Sequence, residues 1–170
     1  MINKLPFTLN AFICVICISL LSFNEVVAQE TKVFELKNGT LLQNSNLNGA
    51  DEVPNQLLYS LKPSIYVKNN NIIKVTGPQK PISLTLYDAN SLNILKTENS
   101  LFSTVQILKV QLKEISDLNS YIDFSNISGF NNLSYIYVTT YFKCTESQIR
   151  AFIKNIDSEI TIYFENVNPS

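Results

Sequence analysis

The stretch LSYIYVTTYFKCTESQIRAFIKNIDSEITIYFE, residues 133–165, decides the fold. It opens and closes with two alternating runs, 133–142 and 159–165, in which the even positions Ile136, Val138, Phe142, Ile160, Ile162 and Phe164 are the more uniformly apolar set. Period two is strand geometry, because successive side chains of a strand point to opposite faces of its sheet. Between the runs the period changes. Thr145 and Gln148 have the T-x-x-Q spacing of a capping box, Glu146 falls in the first turn, and Ile149, Phe152, Ile153 and Ile156 follow at i, i+3, i+4 and i+7. This spacing predicts a helix over residues 146–156, with Arg150 and Lys154 on its wet face. Strand, helix, strand is the βαβ order, so the flanking strands should be parallel and the helix should lie on their apolar face.

Two earlier segments continue the parity. Residues 107–112 and 121–124 place Leu108, Val110, Leu112, Ile122 and Phe124 at even positions, while the odd positions mix Lys109, Gln111 and Asp123 with tyrosine. A sheet with one dry face and one polar, tyrosine-bearing face follows. Tyr121, Tyr135, Tyr137 and Tyr163 are the candidate binding face, since a tyrosine presents flat apolar area together with a hydroxyl, which suits sugars and proteins alike. The competing expectation is that the N-terminal half packs over most of these tyrosines, because Ile107 and Leu133 share their face and need a cover. The separation of Ile136 and Ile160, 24 residues, falls in the leucine-rich-repeat range of about 20 to 29. The preceding separations are 12 and 14, and no repeat consensus is matched, so a degenerate solenoid-like sheet stands as the alternative architecture.

The N-terminal half reads as hairpins. Asn38-Gly39 between two short apolar bursts favours a two-residue turn, and Asn69-Asn70-Asn71 separates Ile65-Tyr66-Val67 from Ile72-Ile73-Lys74-Val75. Polar residues 43–56 should form a surface loop. Residues 82–86 alternate strictly, which predicts one buried and one exposed face, and the Asp88-Ala89-Asn90-Ser91 cluster reads as an Asx turn leading to a further strand at 92–96. A calcium loop is excluded there, because its sixth and twelfth positions are Asn93 and Asn99 where glycine and glutamate are needed. The expected fold class is α+β, predominantly β, with N-terminal antiparallel hairpins and a C-terminal βαβ unit on one sheet.

The first 28 residues belong to export. Lys4 gives a positive start, Ala11 to Leu21 is an eleven-residue apolar run, and Val26-Val27-Ala28 precedes the expected cut, leaving a single mature domain from Gln29 to Ser170. The run is too short for a membrane helix, which needs about 20 apolar residues. Cys14 and Cys17 leave with this segment, so Cys144 alone survives and stability must come from packing; a mature chain of 142 residues can bury roughly 68% of its unfolded surface. Cys144 is expected as a small buried residue. Asparagine, at 21 of 170 residues, points to AT-rich bacterial coding sequence and also supplies turns where glycine is scarce.

Composition removes most chemistries. Without histidine there is no Ser-His or Cys-His relay and no HExxH zinc site, and with glycine only at 39, 49, 77 and 129 there is no P-loop, dinucleotide fingerprint or nucleophile elbow. Two-carboxylate, Ser-Lys or tyrosine chemistry stays open by residue type, yet no carboxylate spacing forces a converging pair. A net charge of −1 with scattered cations argues against nucleic acid. No cofactor, metal or catalytic residue is therefore assigned. The expectation is a secreted or periplasmic, non-catalytic module that contacts protein or the cell envelope, with carbohydrate binding, or a small hydrolase without histidine, as the alternatives.

Overall fold

The computed structural model describes residues 31–41 and 53–167, all within the compact unit Thr31–Ser170. The expected leader and most of the polar stretch 43–56 lie outside the described residues. In chain order the elements are β1 (Val33–Lys37), β2 (Thr40–Leu41), α1 (Asn55–Tyr59), β3 (Ser64–Lys68), β4 (Asn71–Thr76), β5 (Ser83–Leu86), β6 (Ile107–Leu112), β7 (Ile122–Asp123), β8 (Tyr135–Thr140), α2 (Glu146–Phe152), β9 (Ile153–Lys154) and β10 (Thr161–Asn166). The fold is α+β and predominantly β. Its main sheet runs β2-β1-β10-β8-β6-β5-β3-β4.

The five strands β3, β5, β6, β8 and β10 are parallel neighbours in chain order, and their first residues Ser64, Ser83, Ile107, Tyr135 and Thr161 share one register. Strand therefore follows strand as in a solenoid, with steps of 19, 24, 28 and 26 residues. The expected β8-α2-β10 unit is the last such step. Antiparallel pairing is confined to the two ends, where β4 folds back on β3 and β2 folds back on β1. Both hairpins turn as expected. Asn38 and Gly39 have φ of 52° and 74°, and Asn69 and Asn70 have 48° and 61°, so each pair has the two left-handed residues of a type I′ turn.

Register also builds the main core. Val33, Ile162, Ile136, Leu108, Leu84 and Ile65 stand in one row across the sheet and are buried against the connections, including Leu92, Leu95, Phe102, Ile122, Ile149 and Phe152. The capping box of α2 is present, with the Gln148 amide N–H and the Thr145 hydroxyl at 3.4 Å and the Thr145 N–H donating to Gln148 Oε1 at 2.9 Å. Arg150 pairs with Glu146 one turn earlier and donates to the carbonyl of Thr31, which fixes α2 to the start of β1.

Five local expectations are corrected. The helix ends at Phe152, because Ile153 leaves it to pair with Ile122 as β9 against β7 and remains buried in doing so. Residues 121–124 contribute only the two-residue β7, which lies in that separate two-stranded ladder, although its parity is as read, with Ile122 inward. Residues 89–96 form a 3-10 helix where a turn and strand were expected, and the last two residues of the expected loop 43–56 open the helix α1 (Asn55–Tyr59). Strand β5 is buried on both faces: Ser83 and Thr85 are short side chains between the larger neighbours Ile107 and Lys109 of β6 and Tyr66 of β3. No helix among the described residues is long and apolar enough to cross a membrane.

Candidate functional site

The tyrosine face does not survive as one surface. Tyr135, Tyr137 and Tyr163 do share the odd face of β8 and β10, with ring centroids of Tyr135 and Tyr163 at 6.3 Å. They are covered. Leu36 of β1 and Leu58 of α1 join Ile107, Tyr137 and Tyr163 in a second core, with Phe34, Leu41, Val53, Leu57 and Tyr135 packed around it. The N-terminal segments thus provide the cover that Ile107 requires, and Tyr137 and Tyr163 are buried.

Polar tips under this cover are tied to the protein itself. The Tyr137 hydroxyl donates to Glu165 Oε2 at 2.5 Å, and the Gly39 N–H donates to Glu165 Oε1 at 3.4 Å, so one carboxylate joins β8, β10 and the β1–β2 turn. Burial first, and the bond to Glu165 second, raise the Tyr137 pKa far above the ordinary phenol value. Tyr59 of α1 stands edge-on to Tyr137 at 6.2 Å. Lys109, in register with Tyr137, donates its ammonium to the Leu58 carbonyl at 2.5 Å, and burial pulls its pKa below the usual lysine range. These contacts dock α1 on the sheet.

Tyr121 is placed elsewhere and is half-exposed. Alternation along β7 turns Ile122 into the core and leaves Tyr121 and Asp123 on the other side. Lys154, opposite Asp123 on β9, sets its ammonium 4.0 Å from the centre of the Tyr121 ring, a cation–π contact. Asp123 is held by its neighbours: Ser125 donates through its N–H and hydroxyl, Asn126 through its amide at 3.2 Å and Asn155 through its amide at 2.8 Å. These bonds, that of Asn155 foremost, keep its carboxyl below the ordinary aspartate pKa.

Beside Tyr121 and Asp123 opens a groove of about 470 Å³, within the usual size range of small-ligand sites. One wall is the 3-10 helix Ala89–Lys96, which follows β5; the other is the segment from Asn119 to Asn126, which follows β6. A 3-10 helix has three residues per turn, so side chains at i and i+3 eclipse. Asn90, Asn93 and Lys96 accordingly form one exposed row, while Ala89, Leu92 and Leu95 form a row turned into the core. The side chains of Asn90, Asn93, Lys96 and Asn119 make no hydrogen bond to described residues. Sequence reasoning missed these four. For Asn90, Asn93 and Lys96 the signal was the spacing N-x-x-N-x-x-K over residues 90–96, a period of three that neither the strand nor the α-helix template detects; Asn119 carried none.

Cys144 is buried, as expected, and burial pushes its thiol pKa up. Its backbone is clamped by Asn166, whose amide oxygen accepts from the Cys144 N–H at 2.9 Å and whose amide nitrogen donates to the Cys144 carbonyl at 3.1 Å. No protein-family model matches the chain, and comparison with curated proteins and with solved structures finds no similar protein.

Proposed function

We propose that the protein is an exported, non-catalytic binding module of the secreted or periplasmic space, and that it binds through the groove between residues 89–96 and 119–126. The observation that carries this reading is the row of polar groups, Asn90, Asn93 and Lys96, whose side chains are unused among the described residues and which line an open cavity together with a half-exposed Tyr121. Hydrogen-bonding groups without protein partners beside an aromatic ring are what a recognition surface needs. Of the groove-lining residues only Asp123 is a carboxylate, and its oxygens already accept four hydrogen bonds, whereas two-carboxylate hydrolysis requires a facing pair. Export is supported by the charged start, the apolar run and the short residues before Gln29.

Two measurements test this. Fractionation of expressing bacteria followed by mass spectrometry should find a species beginning at or near Gln29 outside the cytoplasm; a cytoplasmic chain that keeps residues 1–28 refutes export. A photo-crosslinking amino acid at position 93 should then trap a ligand in the envelope fraction, and Tyr121→Ala should abolish the adduct. Equal trapping by a probe on Ile73, an exposed residue that does not line the groove, refutes the groove.

A further inference from the structure

Resting on that reading, we infer that the groove takes an oligosaccharide. The first ground is the chemistry of the lining. Small-ligand sites are mostly apolar with a few polar groups, yet this one is walled by Asn90, Asn93, Asn119, Asn126, Lys96 and Ser120, with Leu92 and Ala89 as its aliphatic part. An asparagine amide offers a donor and an acceptor side by side, which matches two neighbouring hydroxyls of a sugar ring. Asn90, Asn93 and Asn119 hold both halves of that pair unused among the described residues.

The second ground is spacing. Each turn of a 3-10 helix rises about 6 Å, so the amides of Asn90 and Asn93 and the ammonium of Lys96 form a ladder whose rungs repeat on the scale of one sugar ring. A single small ion would need convergent ligands, and this ladder is linear. Tyr121 adds the third element. Its ring lines the groove, while Lys154, which does not line it, holds the ring by a cation–π contact. The C–H face of a sugar packs on such a ring as the hydroxyls meet the amides. Charge narrows the class further. Lys96 and Asp123 are the charged residues of the lining and offset each other, which disfavours a polyanion such as a nucleic acid.

A glycan array probed with the purified full chain, followed by calorimetry on the hits, tests the inference. Binding to one family of oligosaccharides is expected, with affinity rising from mono- to trisaccharide. Tyr121→Ala and Asn93→Ala should each weaken it at least tenfold, with circular dichroism and thermal midpoint near those of the parent, since both side chains are exposed. Binding that both variants retain overturns the site. Absence of binding across neutral, amino and acidic sugars overturns the ligand class. In that case a Tyr121-dependent protein adduct at position 93 would leave the binding-module reading standing and refute the oligosaccharide alone; no adduct and no glycan would refute both.

Discussion

Truncating Tyr137 tests whether α1 and the β1–β2 hairpin cover the odd face of the sheet. The ring is buried among Leu36, Leu58, Ile107 and Tyr163, so Tyr137→Ala should cost about 3–5 kcal/mol, as for other large buried aromatics. Tyr137→Phe keeps the ring and removes only the hydroxyl bonded to Glu165 at 2.5 Å. A hydrogen bond to a charged group contributes about 1.5–3 kcal/mol, and the lower end applies here, because the partly exposed Glu165 can rehydrate the oxygen it loses. The pair of variants thus separates packing from hydrogen bonding. The same hydroxyl gives a pH signature. Its folded pKa lies above the unfolded value near 10, so the contribution is fully present below about pH 10 and is lost as pH rises beyond it. The slope approaches about 1.36 kcal/mol per pH unit for one group, and Tyr137→Phe should lack that one contribution while keeping those of Tyr59 and Tyr87, whose pKa values burial also raises. Lys109, whose folded pKa is depressed, acts with the opposite sign, but it is present in both proteins and cancels in their difference. Urea melts at pH 7, 9, 10 and 11 measure all of this. A Tyr137→Ala loss below about 1 kcal/mol, the behaviour of a surface site, would refute the covered face.

Four further outcomes follow from the packing. Phe152→Ala should cost about 3–5 kcal/mol in denaturant melts, because Phe152 is buried in the main core. Thr145→Ala should cost about 1 kcal/mol through the lost cap of α2, and Thr145→Ser should restore most of it. Gly77→Ala should lose more than about 1 kcal/mol, since its φ of +84° is left-handed and a Cβ would lie 2.9 Å from Pro63 Cβ; an unchanged midpoint would mean that the β4–β5 connection relaxes freely. Cys144 should label slowly with a thiol reagent in native buffer and rapidly in urea, and rapid native labelling would contradict its burial.

The sequence by itself determined what depends on local period. Alternation located β6, β8 and β10, the i, i+3, i+4 spacing with Thr145 and Gln148 located α2, and Asn38-Gly39 and the asparagine run located both hairpins, because each of these features is decided by residues within one or two turns of chain. It also carried the even-odd parity, which is why Ile122 proved buried and Tyr121 exposed even though their strand left the main sheet. Only the tertiary structure decided what covers each face. Leu58 and Leu36 lie far from Tyr137 in the chain, and no local pattern announces that α1 will close over three tyrosines while the fourth remains open. The end of α2 was likewise a long-range matter: Ile153 fits a helix by spacing, yet its pairing with Ile122 through β9 satisfies backbone groups that a longer helix would bond differently. The groove depends on both levels. Its Asn90, Asn93 and Lys96 wall is written in the chain with a period of three, but that wall faces Asn119 and Tyr121 only because β5 and β6 are parallel neighbours, and the connections that follow them are laid side by side.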